Sequence, residues 1–304
     1  MKEQQLMTLD IIAGSSVPGL ARGIARRLGT TAHFPRIEKF PDGEIHVVEG
    51  DYTPSQTVAY VQTMHPHPND MLVEMEFTVD LLKELGAERV IAVIPYVGYM
   101  RQDTRHVKGE AIAIRSMLKM LDFAGINDIV GVDMHLHRLG MEELASFSRI
   151  KIHEVGAAEL LAGKAGQGLT KPLVVGPDSE SERWAAAAAQ VLSTDYDVLE
   201  KHRLSAREIE HRPRSLDAKG RDVLIIDDIV STGGTIMDVI KSLRAQGAMR
   251  VNVACTHAVL SDIDSLTGLF RAGMDEFVST NTINNEFGIV DVSGLIADKL
   301  KTIT

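Results

Sequence analysis

The chain is short of thiols, of positive charge and of long apolar runs. Cys255 is the sole cysteine among 304 residues, so no intrachain disulfide can form, which fits a reducing compartment. It lies in the apolar run Arg250-Val251-Asn252-Val253-Ala254-Cys255 and reads as a buried strand residue. Lys and Arg number 32 against 42 Asp and Glu, a formal charge of −10, which argues against nonspecific binding to nucleic acid or to an anionic membrane. An acidic chain that handles polyanions must gather Lys, Arg and divalent cations locally. No apolar stretch approaches membrane-spanning length, and Met1-Lys2-Glu3-Gln4-Gln5 has no signal-peptide core. The expectation is a soluble, cytoplasmic protein.

A hydrophobic content of 44 % with 24 % charged residues is ordinary for a folded protein, and the length suggests two domains. Short apolar runs predict strands at residues 9–13, 58–62, 90–94, 129–132, 173–175, 223–226, 251–255 and 276–278. Helical stretches such as 71–85 and 111–123 lie between them. The alternation predicts parallel sheets flanked by helices, an α/β fold. A weak repeat sets Leu82-Lys83-Glu84-Leu85-Gly86-Ala87-Glu88-Arg89-Val90 against Leu243-Arg244-Ala245-Gln246-Gly247-Ala248-Met249-Arg250-Val251. In both, a helix stops at a glycine and a strand follows at once. Part of the match is generic punctuation, since Phe123-Ala124-Gly125-Ile126 shows the same grammar. The crossover between halves is expected near residues 146–151. His65-Pro66-His67-Pro68 reads as a stiff loop entering a helix capped near Asn69 or Asp70.

The most informative stretch is Asp222-Val223-Leu224-Ile225-Ile226-Asp227-Asp228-Ile229-Val230-Ser231-Thr232-Gly233-Gly234-Thr235. A buried strand leads into two adjacent carboxylates, then into small and hydroxylated residues, then into a helix. Backbone N–H groups at Gly233 and Gly234, with the hydroxyls of Ser231, Thr232 and Thr235, suit a monophosphate at the positive end of a helix dipole. Asp227 and Asp228 fall where open α/β sheets bind ligands, placed to hold ribose hydroxyls or a hydrated cation. A turn whose Asp and Thr merely cap a helix is the plainer alternative, but it asks for one such residue, not six polar or glycine positions.

This strand, acidic pair and Thr-Gly-Gly-Thr loop resembles the phosphoribosyl-diphosphate loop of the phosphoribosyltransferase superfamily. Other blocks match in order: Phe40-Pro41-Asp42-Gly43-Glu44, Pro95-Tyr96-Val97-Gly98-Tyr99-Met100-Arg101-Gln102-Asp103, Val132-Asp133-Met134-His135, Gly176-Pro177-Asp178 and Glu200-Lys201-His202-Arg203. Over nearly its whole length the chain resembles the ribose-phosphate diphosphokinases (phosphoribosyl-diphosphate synthetases). The resemblance implies two tandem phosphoribosyltransferase-type domains. These are placed at 1–146 and 147–287, with residues 288–304 packing back on the first.

It also implies roles. Phe40, Asp42 and Glu44 would hold adenine, partly for a neighbouring subunit; alone, the segment reads as a tight turn before a strand at 45–48. Arg101, Gln102 and Asp103 would meet ATP phosphates, Arg101 by the fork geometry of a guanidinium. A solvated polar loop is the plain reading of Asp103, Thr104 and His106. His135, selected over His137, would pair with Asp178 at magnesium; contact with phosphate or a metal-bound water is the alternative, since magnesium normally takes oxygen ligands. Ser179, Glu180 and Ser181 depart from the small, glycine-containing sequence common in the family. Glu180 and Glu182 would repel an anion unless they point away. Lys201 and Arg203 would be catalytic, on a charged mobile loop spanning residues 200–214.

The activity implied is transfer of the diphosphoryl group of ATP to the anomeric hydroxyl of ribose 5-phosphate, giving 5-phosphoribosyl 1-diphosphate and AMP for nucleotide biosynthesis. Asp227, Asp228, Ser231, Thr232, Gly233, Gly234 and Thr235 would hold ribose 5-phosphate. Magnesium is the implied cofactor, and a homodimer or larger homo-oligomer with a shared adenine site the implied assembly. Two other readings stay open: a base-attaching phosphoribosyltransferase, which would not need the ATP-side blocks, and a noncatalytic regulatory homologue, which would be expected to lose Lys201, Arg203 or the acidic pair.

Overall fold

The computed structural model describes residues 9–136, 139–203, 209–213, 217–260 and 263–304. The chain divides into two units. The first comprises Met1–Val155, Thr282–Asn284 and Asp291–Thr304; the second comprises Gly156–Asn281 and Asn285–Val290. Among the described residues no helix is long and apolar enough to cross a membrane.

The first unit runs β1 (Leu9–Ala13), α1 (Pro18–Leu28), β2 (Ala32–His33), β3 (Arg36–Lys39), β4 (Ile45–Val48), β5 (Thr57–Val61), α2 (Pro68–Glu84), β6 (Arg89–Val93), α3 (Ala113–Ala124), β7 (Asp128–Val132), α4 (Met141–Ala145) and β8 (Lys151–Val155). Six strands form a parallel sheet in the order β2-β1-β5-β6-β7-β8, and β3 and β4 make a separate antiparallel hairpin. Every residue of β5 and β7 is buried, as expected of strands covered on both faces. Met75, Val79 and Leu82 of α2 and Met117 and Leu121 of α3 pack into the same core as Val58, Tyr60, Val90 and Ile129. Each large apolar side chain so buried contributes about 1.5–3 kcal/mol. Where the sequence reading put the crossover near Ser146, the pairing of β8 along β7 carries the first unit on to Val155.

The second unit runs α5 (Ala158–Ala165), β9 (Leu173–Gly176), α6 (Glu182–Leu192), β10 (Tyr196–Arg203), β11 (Ile209–Pro213), β12 (Asp222–Val230), α7 (Gly234–Ala245), β13 (Arg250–Ala258), α8 (Ile263–Ala272), β14 (Glu276–Thr280) and β15 (Gly288–Val290). Its seven strands are ordered β11-β10-β9-β12-β13-β14-β15, parallel except for the β10–β11 pair. The chain then returns to the first unit as α9 (Ser293–Ile303). Arg27 of α1 holds this return, its Nε 2.9 Å from Ser293 Oγ and its Nη2 3.5 Å from Asp291. Arg89 Nη1 donates to the Ile303 carbonyl at 2.8 Å.

The two segments of the sequence repeat occupy the same place in each sheet. One joins α2 to β6, the neighbour of β5; the other joins α7 to β13, the neighbour of β12.

Three local expectations are corrected. The apolar run 223–226 is the first part of a strand that continues to Val230, because Asp227, Ile229 and Val230 keep pairing with β13 at Cys255, His257 and Ala258. Residues 200–203 and 209–213, expected in a charged loop, form an antiparallel ribbon. Helix α2 starts at Pro68 with His67 before it, and no side chain caps it. Asn69 instead accepts a hydrogen bond from the Tyr99 hydroxyl, and Asp70 pairs with Lys39 Nζ at 2.6 Å.

Candidate active site

The strand–loop–helix stretch of the second unit ends in an uncapped helix. The residue before α7 is Gly233, in the left-handed region at φ 72°, and no side chain caps the helix. The first turn holds no acidic residue either. Helices α1 and α2 also lack a side-chain cap, so it is the glycine and hydroxyl run at its start that distinguishes this helix. This one directs backbone N–H groups and its positive dipole end outward, the arrangement that binds phosphate. Ser231 is half-buried beside them, Gly234 likewise, and Thr232 and Thr235 are exposed. Gly233 is required twice over. Its backbone angle suits glycine, and a Cβ there would stand 3.2 Å from Leu269 Cδ2.

Asp227 and Asp228 follow one another on β12, so their side chains leave opposite faces of the strand. Asp228 is buried, its Oδ1 accepting from the Ile229 N–H at 2.8 Å, while Asp227 Oδ1 accepts from the Asp228 N–H at 3.0 Å. Burial, then the nearby carboxylates of Asp228 and Asp178, push the Asp227 carboxyl well above the usual carboxylate range. The excess negative charge on these three groups suits a hard divalent cation. Among the described residues no three or more His, Cys, Asp or Glu side chains already surround one point. A cation at these carboxylates would therefore keep much of its shell as water and substrate oxygens, as magnesium does.

Asp178 starts the turn after β9. Its carboxylate accepts from the Glu180 N–H at 3.0 Å, and Ser181 Oγ donates to the Asp178 carbonyl at 2.6 Å and accepts from its N–H at 3.3 Å. The Ser181 hydroxyl is thus committed to the turn, while Glu180 and Glu182 are exposed. A Cβ on Gly176 would meet Ser181 Oγ at 2.5 Å, so this turn and that glycine go together. Lys201 and Arg203 lie on β10, opposite His211 and Ile209 of β11.

The remaining candidates belong to the first unit. Phe40, Asp42 and Glu44 form the exposed turn of the β3–β4 hairpin. Phe40 stacks on His46 with ring centroids 5.2 Å apart. The turn closes through Phe40 N–H to the Glu44 carbonyl at 2.8 Å and Glu44 N–H to Asp42 Oδ1 at 3.2 Å. Arg101 and Gln102 are exposed on the segment after β6, whereas Asp103 is buried, which removes the reading of Asp103 as a solvated loop residue. His135 is half-buried just after β7; His137 lies outside the described residues. The sequence reading missed Glu74 of α2, 2 % exposed, and the polar groups around it. The available signal was a carboxylate four residues before Thr78 and eight before Leu82, on the face α2 buries.

Two α/β units built on parallel sheets, one with an acidic pair on a strand that leads into a phosphate-type loop, define a phosphoribosyltransferase-type enzyme. Comparison with known proteins carries this further. Residues 9–125 match the family model described as the N-terminal domain of ribose phosphate pyrophosphokinase, and residues 145–289 match the phosphoribosyl transferase domain. The chain belongs to the ribose-phosphate pyrophosphokinase family. It is 34 % identical to the ribose-phosphate pyrophosphokinase of Methanothermobacter thermautotrophicus, covering 96 % of this chain and 99 % of that one. It is 33 % identical to that of Methanopyrus kandleri, covering 97 % and 99 %. The crystal structure of phosphoribosylpyrophosphate synthetase from Mycobacterium smegmatis superposes with a TM-score of 0.83 at 29 % identity, covering 97 % and 98 %.

Proposed function

We propose that this chain performs the reaction of its family with the residues named above: the anomeric oxygen of ribose 5-phosphate attacks the β-phosphorus of ATP, the bond to the α-phosphoryl oxygen breaks, and AMP leaves. The observation that carries the assignment is the 231–235 loop, with Gly233 at φ 72° ahead of α7, following Asp227 and Asp228 on β12. The 5-phosphate sits on the 231–235 loop, and Asp227 and Asp228 orient the ribose hydroxyls. Arg101, Gln102, Asp103 and His135 meet the triphosphate, and Phe40, Asp42 and Glu44 meet adenine. Lys201 and Arg203 stabilise charge on the transferring group. Little covalent work falls to the protein, so positioning and charge stabilisation supply most of the rate.

Magnesium is the proposed cofactor, with Asp178 and His135 as its candidate protein ligands; when bound it would neutralise phosphate charge. A homodimer or larger homo-oligomer is proposed, a reading supported by the exposure of Phe40 at the hairpin turn, where it is available to a neighbouring subunit's adenine. A cytoplasmic setting is supported by the single thiol, which is fully buried.

Phosphorus NMR of the purified protein with ATP, ribose 5-phosphate and magnesium tests the reading. AMP and phosphoribosyl diphosphate are expected to appear together, and to fall by about a thousandfold in rate in Lys201→Ala. Binding of ribose 5-phosphate without either product would instead favour the regulatory reading. Gly233→Ala is expected to weaken ribose 5-phosphate binding about tenfold by calorimetry, since a strained left-handed residue costs about 1–2 kcal/mol. Unchanged affinity would remove the loop from the phosphate site.

A further inference from the structure

In the first unit, the buried carboxylate of Glu74 is surrounded by neutral donors. Its Oε1 accepts from the Ser15 N–H at 2.9 Å, the Tyr60 hydroxyl at 3.1 Å and Gln62 Nε2 at 2.8 Å, and its Oε2 accepts from Ser15 Oγ at 2.5 Å. Burial and the neighbouring Glu74 raise the Tyr60 phenol well above its ordinary value, which keeps it a donor. Ser15 belongs to the turn between β1 and α1, so the carboxylate sits just ahead of a helix that has no side-chain cap and no acid in its first turn. A buried carboxylate is tolerated when such donors replace its water.

The repeat sets α2 against α7. With Leu82 set on Leu243, Glu74 falls opposite Thr235 and Val73 opposite Gly234. Helix α7 begins at Gly234, whereas α2 begins at Pro68, five residues before Val73. The first unit has therefore wound into helix the stretch that the second unit keeps as its phosphate-type loop.

The polar chain runs on from Glu74. Gln62 Oε1 accepts from the Ser16 N–H at 3.1 Å and the Ser16 hydroxyl at 2.6 Å. Ser16 Oγ accepts from the Thr63 N–H at 2.9 Å, and Thr63 Oγ1 accepts from the Tyr96 N–H at 3.0 Å. The Tyr96 carbonyl takes the Met64 N–H at 3.1 Å, and three residues on the Tyr99 carbonyl takes the Gln102 N–H at 2.9 Å. Tyr99 itself is held at φ 62°, in the left-handed region, with its hydroxyl on Asn69. These bonds join the turns after β1, β5 and β6, and the last of those turns leads to Arg101.

We propose that Glu74 is a positioning residue for the ATP side: a resident carboxylate that, through Gln62, Ser16 and Thr63, fixes the 95–103 segment presenting Arg101. The proposal rests on the reading of Arg101 given above. Its action is indirect, since Glu74 is buried and touches only the groups named.

The test uses the full chain as Glu74→Gln, which keeps shape but turns an acceptor into a donor facing donors. Hydrogen exchange of the 95–103 segment is expected to speed up about tenfold or more. The KM for ATP is expected to rise about ten- to a hundredfold, with the KM for ribose 5-phosphate within about twofold of the parent. Thr63→Val cuts only the bond to Tyr96 and is expected to give the same split, more weakly, should Glu74→Gln fail to accumulate. Unchanged exchange in both variants would overturn the proposal, as would equal losses for both substrates, the mark of a merely structural role. Faster exchange with an unchanged KM for ATP would overturn it by way of Arg101, and Arg101→Ala, leaving that KM unchanged too, would identify the failed step.

Discussion

Asp227→Asn is expected to make the ligand-free protein more stable and nearly inactive. The Asp227 carboxyl is pushed above its ordinary range by burial, then by Asp228 and Asp178. Folding therefore favours its protonated form, and the sign follows. Below the ordinary carboxylate pKa, both folded and unfolded chains carry the proton and no penalty arises. As pH rises towards the raised folded value the unfolded chain ionises freely and stability is lost, so the cost is largest at neutral pH and above. An asparagine has no such penalty. Its melting temperature at neutral pH should exceed the parent's by about 2–4 °C, the shift that ~1 kcal/mol produces in a unit of this size. The gap should shrink towards pH 4. Activity should fall by about a hundredfold or more, the usual loss when a fixed polar group at a reacting centre is removed. Magnesium with ribose 5-phosphate should narrow the stability gap, since ligands favour the chain that binds them. Melting curves across pH and initial rates check both halves. A variant less stable than the parent at neutral pH would mean that local hydrogen bonding outweighs the repulsion.

Asp128→Ala should be the most destabilising single change away from the site. Asp128, 1 % exposed, opens β7 and ties three parts of the first unit. Arg89 reaches one oxygen with Nε at 2.9 Å and Nη2 at 2.8 Å, and His153 Nε2 lies 2.9 Å from the other. Arg89 also holds the last carbonyl of α9. Removing the shared carboxylate leaves a guanidinium and an imidazole facing each other, which costs about 3 kcal/mol. The transition of the first unit should drop by about 6–12 °C, and hydrogen exchange in 293–304 should rise with it. A drop under about 2 °C would mean that water already screens this group as it does surface pairs.

Much of the fold was legible because strands buried on both faces are short apolar runs. Residues 9–13 and 45–48 match β1 and β4 residue for residue. What failed did so for stated reasons. Two carboxylates hide the second half of β12, whose continuation is set by pairing with β13 and not by its own hydrophobicity. The charge of residues 200–213 masks a ribbon whose backbone pairing is independent of side-chain polarity. His67 before Pro68 starts α2 because proline needs no N–H there, which overrode the Asn and Asp that follow. At the site, the phosphate-type loop could be read directly, since glycines and hydroxyls in that order have few other uses. Glu74 could not, because a single acid in a helix looks solvated until the sheet it faces is known.

The first unit is written in the sequence on both sides of the second, since Asp291–Thr304 belong with Met1–Val155. A ribosome therefore delivers the two units out of order. Most of the first unit emerges early, then waits for Thr282–Asn284 and its closing helix while residues 156–290 are made, roughly seven to thirty seconds at ordinary elongation rates. During that interval the face of α1 that receives α9 is uncovered, and the Arg89 guanidinium has Asp128 but not the Ile303 carbonyl to bind. The nascent chain thus completes its second unit before its first.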